Sequence, residues 1–295
     1  LSDLISVIIP VYNESTNIDE MVERLKASLI GSNSNYEVWF IDDGSNDGTF
    51  EKVKLQRQID PSIKCVSFSR NFGHHNAIAA GIDYAQGNTI VLMDGDLQDR
   101  PESIPALLDK LSEGYDVVCA RRSETRGSSM KKVNSSLFWK FIKLTSGLEL
   151  IPDQSIMRVF NRPVLNSLKQ IKESNRFYSA LFNWVGFKQT GLVVQYDERG
   201  SGKTKYTFKK QLKLAMDAIF GFGKFPLWIL MILGLVLIIL GLFVKLPNTL
   251  LSNPLVLLGA ISMLFGLASY QVRQAMRDTR ERPLYVVKEI LGHEG

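Results

Sequence analysis

Five short apolar runs divide the first part of the chain, at residues 4–12, 36–41, 63–68, 89–93 and 115–120. Each is rich in β-branched residues and too short to be anything but a buried strand. Helical periodicity fills the gaps: Ile18, Met21, Val22, Leu25 and Leu29 share one face, with Asn17 placed to cap it. Pro101 and Glu102 open another helix, with proline in the first turn and an acid at the positive end. Strands that alternate with helices pair in parallel, so the expected class is α/β, a mostly parallel sheet with helices on both faces.

Open sheets of this kind collect ligands at the carboxyl ends of their strands. The fourth run ends there in Asp94-Gly95-Asp96-Leu97-Gln98. Two carboxylates one residue apart in a turn can both face a single hard cation, and Gln98 offers a third oxygen. Gly95 would let a bulky ligand approach the backbone. Mg²⁺ or Mn²⁺ held by so few protein oxygens keeps positions open for substrate phosphates. The second run ends in Asp42, whose carboxylate can accept the ring N–H of a uracil or guanine; the alternative is that Asp42, Asp43, Ser45 and Asp47 only build a turn and cap a helix. After the fifth run, Arg121 to Ser129 is polar and too irregular for a strand, and Arg122 and Arg126 suit phosphate as part of a closing loop. No G-x-G-x-x-G follows the first strand. Gly202-Lys203-Thr204 lacks the upstream glycine of a P-loop, since Asp197 stands there.

Apolar residues crowd between positions 225 and 272. Residues 225–244 and 254–272 are two uncharged spans, each long enough for a hydrocarbon core of about 30 Å. Lysines precede the first span and arginines follow the second, so both ends are expected to face the cytoplasm. Residues 202–224 carry Phe208, Leu212, Met216 and Ile219 against Lys209, Lys210 and Lys213, the pattern of a helix lying in the headgroup layer. The expected domains are therefore 1–201 catalytic, 202–224 interfacial, 225–272 a two-span hairpin and 273–295 a cytoplasmic tail. In that tail, residues 283–288 have strand character and could extend a sheet edge, in this chain or in another subunit. Net charge is +5 with pI near 9.1, which suits phosphates or an anionic membrane face; no nucleic-acid partner is expected. Cys65 and Cys119 read as small core residues of a reduced compartment. The chain starts at Leu1 with no secretory signal after it, so a trimmed start and an inner-membrane protein with its catalytic domain in the cytoplasm are expected.

The motifs Ile9-Pro10-Val11-Tyr12-Asn13-Glu14, Ile41-Asp42-Asp43-Gly44-Ser45, Arg70-Asn71-Phe72-Gly73 and Asp94-Gly95-Asp96-Leu97-Gln98 resemble those of family-2 glycosyltransferases of the GT-A fold. Arg122, Arg126, Asp153, Arg158, Gly202 and Thr204-Lys205-Tyr206 extend the likeness to the polyprenyl-phosphate branch, which includes dolichyl-phosphate mannose synthases and bactoprenol glucosyltransferases. The resemblance implies inverting transfer of a hexose from a nucleotide-diphosphate sugar, UDP-glucose or a related UDP-sugar, to undecaprenyl phosphate. It implies that Pro10, Tyr12, Glu14, Asp42, Asp94 and Gly95 surround the nucleotide, and that Asp94, Asp96 and Gln98 hold Mg²⁺ or Mn²⁺. Arg122, Arg126, Arg199 and Lys205 would meet the donor diphosphate or the lipid phosphate, and Asp153 would orient sugar or acceptor. Relatives often carry Asp-x-Gly-x-Phe-Arg where this chain has Asp153-Gln154-Ser155-Ile156-Met157-Arg158, a departure that bears on the sugar pocket. A homo-oligomer, such as a tetramer, fits an exchanged tail strand. A processive polysaccharide synthase would carry Gln-x-x-Arg-Trp and more spans, and a non-catalytic nucleotide-sugar binder would be expected to lose one of the two acids.

Overall fold

The computed structural model describes residues 4–30, 35–122, 151, 154–171, 173, 176–197, 282–292 and scattered positions within 260–272. The five expected strands are present as β1 (Ile5–Val11), β2 (Tyr36–Asp42), β3 (Ile63–Phe68), β4 (Thr89–Leu92) and β5 (Val117–Arg122). Between them lie α1 (Ile18–Leu29), α2 (Thr49–Ile59), α3 (His74–Tyr84) and α4 (Ile104–Ser112), the last preceded by a 3₁₀ turn at Pro101–Ser103. Further on come β6 (Gln154–Asn161), α5 (Arg162–Lys169), α6 (Tyr178–Trp184), β7 (Gln189–Val194) and β8 (Val287–Leu291).

The eight described strands form one sheet in the order β7-β5-β6-β4-β1-β2-β3-β8. β1 is buried along its whole length because both sheet faces are covered. Side chains of Val7, Ile9 and Phe40 pack with α1 and α4 through Met21, Val22, Leu25, Ile104 and Leu107. Ile8, Trp39 and Ile90 pack on the other face with α3, α5 and α6 through Ile78, Ile82, Leu165 and Phe182. The chain runs outward from β1 to β2 and β3, then returns to place β4 on the other side of β1, all four parallel. β1 and β4 thus enclose a topological switch point, where their outgoing loops part and leave a crevice. β6 runs antiparallel to β4, with Arg158 opposite Leu92, so its first residues lie at that same edge. β5 and β7 are parallel to each other and bring their carboxyl ends there too.

Several expectations need correction. Arg121 and Arg122 belong to β5, not to the loop after it, because they continue the pairing with Val193 and Val194 of β7. Asn17 occupies the cap position of α1, but its amide donates to Glu14 Oε2 at 2.6 Å and caps nothing. Pro101 and Glu102 stand, as expected, in the first turn, which is 3₁₀, and Glu102 in addition accepts from Arg24 Nε and Nη2 at 2.8 and 2.9 Å. The tail strand falls at Val287–Leu291, later than the sequence pattern suggests, and adds antiparallel to β3 within the same chain. Tyr285 anchors it, stacked on Phe68 at 4.9 Å and donating to Asp83 at 2.9 Å.

Among the described residues no helix is long and apolar enough to cross a membrane. Residues 202–224 and 225–244 lie outside the described residues. Within 260–272 the described positions are helical, and Ile261, Phe265 and Val272 are exposed. Cys65 and Cys119 are buried and free, as core residues.

Candidate active site

The loops after β1 and β2 are laced together by polar side chains. Asn13, at positive φ, donates its N–H to Ser45 Oγ at 2.9 Å and accepts from the Asn46 N–H at 3.0 Å. The Glu14 N–H donates to Thr49 Oγ1 at 3.0 Å, and Asp47 accepts from the N–H groups of Ser15 and Thr49, both at 3.1 Å. Asp42 is 1% exposed, and its oxygens accept from the Ser45 N–H at 2.9 Å and the Ser67 hydroxyl at 2.7 Å. Asp43 accepts from the N–H groups of Phe72 and Gly73 at 2.6 and 2.9 Å and so caps α3. Burial pushes its carboxyl above the usual range despite those donors. Tyr12 is left exposed at the crevice, whereas Pro10 is buried within β1.

Gly44 is required here. Its φ is +70°, and a Cβ would lie 2.5 Å from the Arg70 carbonyl carbon. Gly44→Ala is expected to cost at least about 2 kcal/mol, from backbone strain and overpacking together. Thermal unfolding measures this; an unchanged Tm would show that the Arg70 segment moves aside freely.

The turn after β4 holds Asp94 and Asp96, both partly exposed. Leu97 has φ of 63°, which curls the turn, and Asp96 Oδ1 accepts from the Gln98 N–H at 3.2 Å. His74 Nε2 is 3.4 Å from Asp94 Oδ1. Gln98 Oε1 accepts from the Tyr196 hydroxyl at 2.8 Å. Asp99 is buried and accepts from the Asp94 N–H at 3.3 Å. Burial, then the charges of Asp94 and Asp96, push its carboxyl up to about 7. Arg158, 1% exposed, donates to the carbonyls of Ile156 and Ser155 and lies over the Phe182 ring at 4.5 Å; burial pulls it down to about 10. Gly95 is glycine for an internal reason: a Cβ there would meet Val11 Cγ1 at 2.6 Å. Packing against β1 is thus enough to require glycine at this position.

Two hard carboxylates on a curled turn are a donor set that suits Mg²⁺ or Mn²⁺. Among the described residues no group of three or more His, Cys, Asp or Glu could hold a metal ion by itself. Phosphate oxygens of a substrate are the natural complement.

The fold thus brings Tyr12, Glu14, Asp94, Asp96 and Gln98 to one edge, with Asp42 beneath them. The Arg122 side chain, Arg126, Asp153, Arg199 and Lys205 lie outside the described residues. Sequence reasoning missed His74, Asp99 and Tyr196, and took Ser155 only as a departure from the relatives' pattern. Asp99 stands beside the motif and His74 directly follows Arg70-Asn71-Phe72-Gly73, so both had a local signal. Tyr196 had none.

The family model for glycosyl transferase family 2 matches residues 6–169. The "uncharacterized glycosyltransferase YkcC" of Bacillus subtilis (strain 168) is 37% identical over 98% of this chain and 94% of its own length. An undecaprenyl-phosphate 4-deoxy-4-formamido-L-arabinose transferase of Shewanella sediminis (strain HAW-EB3) is 31% identical over 98% of this chain and 93% of its own. Glucosyl-3-phosphoglycerate synthase from Mycobacterium tuberculosis, in complex with phosphoglyceric acid, has the same fold at 17% identity. Its TM-score is 0.52, over 76% of this chain and 81% of that chain. The chain belongs to glycosyl transferase family 2 and is a glycosyltransferase with the GT-A fold.

Proposed function

We propose that the enzyme transfers a sugar, with inversion, from a nucleoside-diphosphate donor to the phosphate of undecaprenyl phosphate at the cytoplasmic face of a membrane. The observation that carries this reading is the full-length match to an undecaprenyl-phosphate sugar transferase in a chain whose Asp94 and Asp96 line the switch-point crevice. The two uncharged spans at 225–244 and 254–272 support a bilayer-bound acceptor.

Asp94 and Asp96, with Gln98, would hold Mg²⁺ or Mn²⁺, which when bound neutralises the charge gained by the departing nucleoside diphosphate. Tyr12 and Glu14 border the nucleotide, with Asp42 behind them. The acceptor is a phosphate monoester, already ionised near neutral pH, so the chain need not supply a strong general base. Its task is to bring two anionic groups to one anomeric carbon. At about 4 Å, like charges repel by about 4 kcal/mol at an effective dielectric near 20, which is the role assigned to Arg122, Arg126, Arg199 and Lys205. Asp153 orients sugar or acceptor; in Asp153→Asn, a loss of transfer that recovers as pH rises would instead mark it as a base.

The test is a donor panel of labelled UDP- and GDP-sugars, hexoses and pentoses, with membranes and undecaprenyl phosphate. Label is expected in the organic extract with one donor, strongest for a UDP-sugar, and EDTA is expected to abolish it. Purely polymeric product, or label indifferent to undecaprenyl phosphate, would refute the reading.

A further inference from the structure

Gln98 enters the cation reading as a third oxygen, and the fold gives that oxygen a partner. We propose that Tyr196 is a positioning residue for sugar transfer, its hydroxyl holding the Gln98 carbonyl in the orientation that adds to Asp94 and Asp96. The inference rests on the cation reading above and brings to it a residue from a distant strand end.

Tyr196 Oη donates to Gln98 Oε1 at 2.8 Å. The surrounding backbone fixes this approach. Asp99 pairs antiparallel with Tyr196, and the Asp197 N–H donates to the Gln98 main-chain carbonyl at 3.1 Å. Charged side chains close the same junction. Arg100 Nε lies 3.5 Å from Asp197 and its guanidinium reaches the Gln195 side chain. Arg24 spans Glu102 at 2.8 Å and Asp197 at 3.7 Å. Residues 98–102 and 195–197 are therefore cross-linked by backbone and side chains on both sides of the tyrosine.

An amide carbonyl has two lone pairs, so one can accept from the phenol while the other faces a cation. A hydroxyl fixed by its own backbone sets the plane of that carbonyl, as outer partners of metal ligands generally do. Without it, the glutamine side chain must surrender rotamer freedom when a cation binds. The expected signature is a weakened cation, not a slowed chemical step.

The test uses the full chain in nanodiscs with UDP and no acceptor, so that nothing turns over. Free Mn²⁺ is followed by electron paramagnetic resonance. Tyr196→Phe is expected to weaken Mn²⁺ about tenfold, the low end for an outer partner of a metal ligand. In turnover assays the loss should appear in the apparent KM for Mn²⁺, with kcat at saturating Mn²⁺ far less affected. Gln98→Ala should weaken Mn²⁺ at least as much, and the double variant should be no weaker than Gln98→Ala alone, because both changes remove one interaction. Wild-type Mn²⁺ affinity in folded Tyr196→Phe, or additive losses in the double variant, overturns the proposal. Should Tyr196→Phe not fold, Tyr196→His and Gln98→Ala decide. The histidine ring can still donate and should lose less affinity than Gln98→Ala, and unchanged affinity in Gln98→Ala overturns the proposal. Mn²⁺ affinity unchanged by Asp94→Asn removes the cation reading itself. A site that needs Asp94 but ignores Tyr196 removes only this inference.

Discussion

Asp94→Asn is expected to lower the rate of sugar transfer by about 10²–10³-fold, some 3–4 kcal/mol of transition-state stabilisation. Asp94 stands at the carboxyl end of β4, partly exposed in the crevice, with His74 at 3.4 Å on one side. Asparagine keeps the shape and the backbone, so the Asp94 N–H still donates to Asp99 and the turn still curls at Leu97. Only the charge is lost, and charge is what a cation on the donor diphosphate requires. Stability should therefore change by less than about 1 kcal/mol. Initial rates at saturating Mn²⁺, alongside thermal unfolding, separate the two effects. Activity within tenfold of wild type would remove Asp94 from the reaction, whereas a large fall in Tm would make it structural.

Glu37→Ala is expected to produce the largest loss of stability, about 3–5 kcal/mol. Glu37 is 3% exposed near the start of β2. It accepts from the Ser6 hydroxyl at 2.5 Å, the Gln86 N–H at 2.8 Å and Lys64 Nζ at 2.8 Å, and Ser6 accepts in turn from the Gly87 N–H at 2.7 Å. One carboxylate thus ties β1, β2, β3 and the turn before β4 at the end of the sheet opposite the crevice. Alanine leaves a buried hydroxyl and a backbone N–H without their acceptor, and Lys64 without its counter-charge. Burial works against the Glu37 charge, but Lys64, Ser6 and Gln86 outweigh it and hold the carboxyl below its ordinary 4.5. A carboxyl lowered in the folded state stabilises the fold above its unfolded pKa. That contribution is lost as pH falls below about 4.5 through the folded value. Denaturant unfolding at pH 7 and in steps below pH 5 should show wild type losing stability faster than Glu37→Ala as pH drops. Parallel curves would refute the role assigned to the charge.

The strands that read most clearly are those buried on both faces. β1 to β4 are short, mainly apolar runs closed by turn residues, their few polar residues set near the strand ends, and local pattern is sufficient to place them. β6 was not legible because Arg158 interrupts its centre, a charge that the Phe182 ring, neighbouring carbonyls and the carboxylates of Asp99 and Asp94 make tolerable. β7 carries a glycine at Gly191, where Arg121 fills the space a Cβ would take, and its apolar stretch is only the three residues Leu192 to Val194, too short to mark a strand by pattern. β8 lies beyond the apolar spans, and nothing local pairs it with β3.

The chain's own order of residues determined the α/β alternation, the carboxylate pair at a strand end and the family, because each is written in neighbours along the sequence. Tertiary structure alone decided that Asp42 is also held by Ser67, that Gly95 packs against Val11 of β1 and that Gln98 is held by Tyr196. Those contacts join residues up to 98 positions apart, and their partners are chosen by sheet order and register, which no local pattern encodes.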